Sequence, residues 1–214
     1  NSTNYSLSFN AAYKFDVFGK EFAVFATASH SKSFEYQEGE FRTYRANILD
    51  NAFPNLGYDP TTALNDSPSV EQYITRINTT GYIRGDVKLN DNHKIGYNTL
   101  FVNTGRDNLY EQGRNGLGYV FDQQPQERGS FVRDQNYKQT IMFVNQLTGE
   151  HKLSENNKLS WAGGYNFVLS EEPNRVRNEA IILNNTEVTY ADVSDFSQRK
   201  SSQRIEDNEI NAYV

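Results

Sequence analysis

A short polar turn between two alternating segments is written twice in this chain, as Lys88-Leu89-Asn90-Asp91-Asn92-His93-Lys94-Ile95 and as Lys152-Leu153-Ser154-Glu155-Asn156-Asn157-Lys158-Leu159. Each strand pair is followed by about thirty residues of polar, irregular sequence, longer than the connections compact domains normally use. Brief turns at one end of a sheet and long loops at the other are how a membrane-spanning β-barrel is built, with short periplasmic turns and extended outer loops.

Period-two alternation predicts strands over about 5–15, 22–34, 72–89, 94–103, 137–153, 159–169 and 205–214. In the first, Tyr5, Leu7, Phe9, Ala11, Tyr13 and Phe15 share one face, against Ser6, Ser8, Asn10, Ala12 and Lys14 on the other. In the third, Gly81, Ile83, Gly85, Val87 and Leu89 oppose Tyr82, Arg84, Asp86 and Lys88. The fifth keeps Ile141, Phe143, Leu147 and Gly149 on one face, interrupted by Asn145 and His151, for which alternation offers no reason. Residues 35–71, 104–134 and 170–202 read as three long loops, the first with a short helix over 43–51. All five prolines fall in these loops, as proline's missing N–H requires of a hydrogen-bonded sheet.

Composition excludes several classes. Aromatic residues make up 14% of the chain, too many for a disordered one. Mean hydropathy is −0.76, and no run approaches the roughly 18 apolar residues of a spanning helix. A barrel escapes that test because only alternate residues meet lipid. A net charge of −6 with dispersed Lys and Arg argues against a nucleic-acid partner. The absence of cysteine removes disulfides and thiolate metal sites without fixing a compartment. The chain opens Asn1-Ser2-Thr3 and stops at Val214 inside a predicted strand, so the expectation is an interior piece of a longer protein.

The two faces receive different roles. Tyr97 and Trp161 stand three residues beyond Lys94 and Lys158, both on the apolar face, as membrane-interface aromatics beside the short turns would. Tyr82, Arg84, Asp86 and Glu150 lie on the opposite face and are the candidates to line a lumen and meet ligand. A tilted strand of about nine to eleven residues spans a bilayer. Unpaired backbone groups cannot remain in hydrocarbon, so six or seven strands must be completed by others into a cylinder.

Tyr82-Ile83-Arg84-Gly85-Asp86-Val87-Lys88-Leu89 and Asn145-Gln146-Leu147-Thr148-Gly149-Glu150-His151-Lys152-Leu153 resemble the barrel of TonB-dependent outer-membrane receptors, nearest to the Bacteroidetes type that includes the SusC-like importers. Ser170-Glu171-Glu172-Pro173-Asn174-Arg175 is similar to an acidic-Pro-Asp-Arg element of those barrels, with Asn174 where Asp is usual. The resemblance implies an outer-membrane location and a barrel of about 22 strands around a plug domain. It also implies nutrient import driven through TonB and, for the SusC-like kind, a SusD-like surface lipoprotein as partner. This chain has no recognisable plug or TonB-contacting segment, so its expected share is wall and outer loops.

Catalysis, metals and cofactors are not expected. His30, His93 and His151 fall in separate elements, and no His pair has metal-ligand spacing in sequence. Gly113-Arg114-Asn115-Gly116-Leu117-Gly118 lacks the strand-to-helix setting of a phosphate-binding loop and reads as a loop. Two alternatives remain open: another outer-membrane barrel serving secretion or passive diffusion, and a soluble β-rich carbohydrate-binding module. The latter would bury the Tyr97 and Trp161 face under a second sheet of the same chain.

Overall fold

The computed structural model describes residues 3–40, 69–114, 130–182, 188–190 and 198–214. Every regular element among them is a strand of one antiparallel sheet: β1 (Tyr5–Val17), β2 (Lys20–Glu40), β3 (Ser69–Asn90), β4 (His93–Gln112), β5 (Ser130–Lys152), β6 (Lys158–Ile182), β7 (Val188–Tyr190) and β8 (Gln198–Tyr213). Neighbours in sequence pair in order from β1 to β6, and β7 and β8 both pair with β6. The sheet is open, with β1 and β8 each hydrogen-bonded on one side only.

Turn chemistry sets the hairpins. Phe18 and Gly19 both adopt positive φ, 53° and 70°, the two-residue connection whose twist matches that of the strands. Between β3 and β4 the Asn90 side-chain oxygen accepts the Asn92 N–H at 2.8 Å, and Lys88 holds Asp91 at 2.8 Å. Between β5 and β6 the Asn157 carbonyl accepts the N–H groups of Leu153 and Ser154 at 2.9 and 3.2 Å. The repeated hairpin therefore closes on local polar contacts, different ones in each copy.

The strands run much further from these turns than alternation predicts. Residues 35–40 continue β2, 104–112 continue β4, 170–182 continue β6, and β8 begins at Gln198 rather than near 205. At about 3.3 Å per residue, the 25 residues of β6 extend roughly 80 Å, more than twice a hydrocarbon core of about 30 Å. Strand thus occupies part of each segment expected to be a long loop, and the expected helix over 43–51 lies outside the described residues. Pro173 is a further correction, because it sits within β6 and not in a loop. It does so where both ladders slip, between Gln135 and Gln139 on the β5 side and between Glu172 and Arg175 on the β8 side. A bulge relieves proline of the ladder donor it lacks.

Strand register lays the side chains of one face in rows. From the turns outward these are Phe22-Val87-Ile95-Gly149-Trp161, then Val24-Gly85-Tyr97-Leu147-Gly163, then Ala26-Ile83-Thr99-Asn145-Tyr165, then Ala28-Gly81-Phe101-Phe143-Phe167. From Leu159 to Leu169 the apolar part runs eleven residues, about 33 Å along the strand. Further out the same face turns polar, ending in the row Glu38-Glu71-Glu111-Arg133.

Nothing in the described residues covers this band. Elements touch only their hydrogen-bonded neighbours. Fully buried apolar side chains are confined to Ile74, Val132, Ala162 and Ala180 among the described residues, while Phe9 and Ile83 are more than half exposed. The accessible surface is 14823 Å², against about 10,000 Å² for a compact monomer of this mass.

Candidate functional site

The face opposite the apolar rows carries the sequence-predicted lumen candidates, and the sheet bends around it. A cleft of about 810 Å³ at the turn end is lined by Lys14 of β1, Glu21 of β2, Asp86 and Lys88 of β3, Lys94 of β4, Glu150 of β5 and Lys158 of β6. One cleft can touch side chains from six successive strands only if that face is the concave one.

Tyr82, Arg84 and Asp86 follow one another at every second position of β3, and the Phe25 ring lies 6.1 Å from that of Tyr82. Arg84 donates to both Asp86 oxygens, Nε to Oδ2 at 2.7 Å and Nη2 to Oδ1 at 3.0 Å, and Lys94 reaches Oδ1 at 3.3 Å. Gly96 makes this possible: it is paired with Asp86, and a Cβ there would stand 2.7 Å from Asp86 Oδ1. Glu150, paired with Lys94, holds Lys158 at 2.8 Å. The result is a patch of mixed charge: Glu21 faces Lys88 and Lys94 faces Glu150 across strands, while Lys88 also faces Lys94 and Lys152 faces Lys158, like charges that Asp86, Asp91 and Glu150 offset from neighbouring positions. It contains no nucleophile set beside a base. The face is less polar than alternation suggests, because Leu100, Val102, Met142, Val144 and Val168 also stand on it in mid-sheet.

Tyr97 and Trp161 share the apolar face, but in successive rows and not at one height: Trp161 is level with Gly149 and Ile95, and Tyr97 with Leu147. Trp161 lies over Gly149, where any Cβ would overlap the indole. Its Nε1–H donates to His151 Nε2 at 2.9 Å, and His151 Nδ1 meets His93 Nδ1 at 2.9 Å. This accounts for the break at His151. The three histidines do lie in separate elements, β2, β4 and β5, but register brings two of them together. His93 and His151 are direct cross-strand partners. Since the indole can only donate, His151 Nε2 is the acceptor and its Nδ1 carries the proton that His93 Nδ1 accepts.

Asn145 is explained in the same way. Its side-chain oxygen accepts from Tyr97 and Thr99 hydroxyls, both at 2.9 Å, and its amide faces the Tyr165 carbonyl at 3.4 Å. A polar group in an apolar band is tolerated when neighbours satisfy it. Alternation could have flagged both interruptions, but only register reveals their partners.

The far half of the sheet holds groups that sequence reading missed. Arg76 pairs with Glu35, and that guanidinium, helped by Gln37, holds the Glu35 carboxyl below its usual range. Asp134 takes two hydrogen bonds from Arg175, Nε at 3.2 Å and Nη2 at 2.7 Å. Glu179 is fully buried with neither carboxyl oxygen hydrogen-bonded, and burial pushes its carboxyl up. Glu38, expected in a loop, belongs to β2 and accepts the Tyr36 hydroxyl at 3.0 Å, and that bond raises the phenol to about 12. Their signal in sequence is faint, because charged residues at alternate positions read equally well as loop.

Among the described residues no group of three metal-ligating side chains converges. No protein-family model matches this sequence, and no curated protein matches it.

Proposed function

We propose that this chain is wall and outer-loop sequence of a TonB-dependent outer-membrane transporter that imports a nutrient into the periplasm. One observation carries the barrel part of the reading: an exposed, aromatic-rich band about 33 Å long along the strands, which the strand tilt usual in such barrels would set at about 25 Å in height, bordered by the short turns and backed by a charged cleft. Lipid is the solvent that such a band fits. A concave face lined by Tyr82, Arg84, Asp86 and Glu150 suits a water-filled or plug-filled interior. The open edges of β1 and β8 then continue into the rest of the barrel, since an unpaired edge is not tolerated in hydrocarbon. The resemblance of the β3 and β5 segments to TonB-dependent receptors narrows the class from any barrel to an energised importer.

The test uses the full-length protein. It should fractionate with outer membranes, need detergent for extraction, and migrate differently on gels before and after heating. A protein that stays monodisperse in plain buffer removes the membrane reading, and one without a plug domain removes the TonB part alone. With uptake established, Arg84→Glu should lower it at least several-fold more than Glu38→Lys, because Arg84 faces the cleft side and Glu38 the outer row. Equal effects would overturn the inward assignment.

A further inference from the structure

Arginines accumulate on the concave face at the end away from the turns. Through the bulge at Pro173, Arg175 and Arg177 of β6 come to stand on the same face as Asp134 of β5, and across the other ladder Arg177 is paired with Arg199 and Arg175 with Ser201. A pocket of about 110 Å³, the space of roughly four waters, is lined by Arg175, Arg177, Arg199 and Ser201. Arg177 also has a contact of its own within the chain.

Like charges directly opposite each other weaken a strand pair. Like-charged pairs recur in this sheet, as at Lys88 with Lys94 and Arg76 with Arg106, but at Arg177 and Arg199 a third guanidinium stands one step along and lines the same pocket. Asp134 offsets one of these charges, and it is already held by two hydrogen bonds from Arg175. Glu179 stands two residues beyond Arg177 on the same strand, and Glu172 stands three residues before Arg175, so acidic side chains flank the arginines along β6. The planar N–H forks of arginine match the oxygens of phosphate, sulfate and carboxylate groups, and the serine hydroxyl adds a donor at the pocket floor.

We propose that the pocket walled by Arg175, Arg177, Arg199 and Ser201 binds an oxyanion, a phosphate, sulfate or carboxylate group carried by a solute. The pocket stands on the described geometry alone. That the solute is one being transported rests on the import reading. An anion there screens the Arg177–Arg199 repulsion and draws charge-assisted hydrogen bonds from two strands at once. The same face thus carries mixed charge along its length, with guanidinium groups gathered locally around this pocket.

Calorimetric titration of inorganic phosphate into the full-length protein, at constant ionic strength, tests this. Saturable binding is expected, weakened about tenfold or more by Arg199→Gln, since one charge-assisted hydrogen bond commonly accounts for that factor. Arg199→Lys should keep part of the affinity, which separates a binding role from a folding defect. Lys200→Gln removes the same charge from the opposite face of β8 and should change affinity less than about twofold. Phosphate that does not bind saturably, or that loses equal affinity in the Arg199 and Lys200 variants, overturns the proposal. Binding seen only with micelles of a short-chain phosphatidic acid makes the occupant a lipid headgroup and overturns the solute assignment. A heat-modifiable outer-membrane protein without phosphate binding loses the pocket alone. A buffer-soluble protein that binds phosphate through Arg199 loses the import reading alone.

Discussion

The two halves of this sheet are built from the same strands on different terms. Near the turns, one face is apolar and aromatic over four successive rows, and the other is a patch of mixed charge in a cleft. Far from the turns polar and apolar side chains are mixed on both faces, with Ile74, Val132 and Ala180 buried, and the pairing is reinforced by Arg76 with Glu35, Arg175 with Asp134, and Arg133 with Glu111. The backbone ladder is continuous through both halves. On the proposed reading, what changes is the medium each half suits: hydrocarbon outside the first, water around the second.

A single cation moved along one strand measures that difference. Ile83 and Thr75 lie on the same face of β3, one inside the apolar band and one beyond it. Ile83→Lys should lower the stability of the full-length protein in lipid by about 2–4 kcal/mol, as a cation near mid-bilayer does, while Thr75→Lys should stay within about 0.5 kcal/mol. Urea unfolding in vesicles reads both. Equal costs would abolish the distinction between the halves.

The next effect down concerns how the first half is packed. Gly149→Ala places a Cβ inside the indole of Trp161, so the ring must leave its seat and its bond to His151. Overpacking of this kind costs about 1–3 kcal/mol. Trp161 is the sole tryptophan of these 214 residues, so the difference in emission between parent and variant, set against that of a Trp161→Phe control, reports the displacement. An unchanged spectrum and urea midpoint would mean that the seat is not needed.

In the far half the corresponding contact is polar. Asp134→Asn leaves Arg175 with a neutral partner in a half-buried setting, at an expected cost of about 1 kcal/mol, since exposure of the arginine screens the pair. Loss of protection should be confined to the outer ends of β5 and β6 in hydrogen exchange. Loosening that spreads to the turn-end rows would show that the halves do not act separately.

This contrast also explains what the sequence disclosed. Alternation marked β1, the inner parts of β2 to β6 and all three turns because apolar and polar side chains there separate onto opposite faces with a period of two. Where both faces mix polar and apolar side chains that period vanishes, so residues 104–112 and 170–182 read as loop although they are strand. Pro173 strengthened the misreading, because a bulge that accommodates proline cannot be recognised from one strand alone. The four lumen candidates and the two rim aromatics were assignable to faces by parity. The partners of His151 and Asn145 and the arginine pocket were not, because each depends on register between strands distant in the chain.

The smallest expected effect is on pH dependence, and it distinguishes two carboxyls within the far half itself. Glu35 is held low by the Arg76 guanidinium, so its contribution to stability is present above the ordinary glutamate value of 4.5 and is lost as pH falls through its lowered value. Glu179 is pushed up by burial, so its contribution is present below 4.5 and is lost as pH rises through its raised value. In the second turn, Lys88 lowers the Asp91 carboxyl, which gives the same sign as Glu35. Urea midpoints between about pH 3 and 7 should therefore respond oppositely to two isosteric changes. Glu35→Gln flattens the acid limb, and Glu179→Gln removes a decline on the way to neutral pH. Glu35 and Asp91 are exposed and screened, so their part is slight, and the larger of the two changes belongs to Glu179. A Glu179→Gln profile that overlays the parent's would mean that this carboxyl is ionised and solvated in the folded protein, and the far half would then lack the dry interior its burial implies.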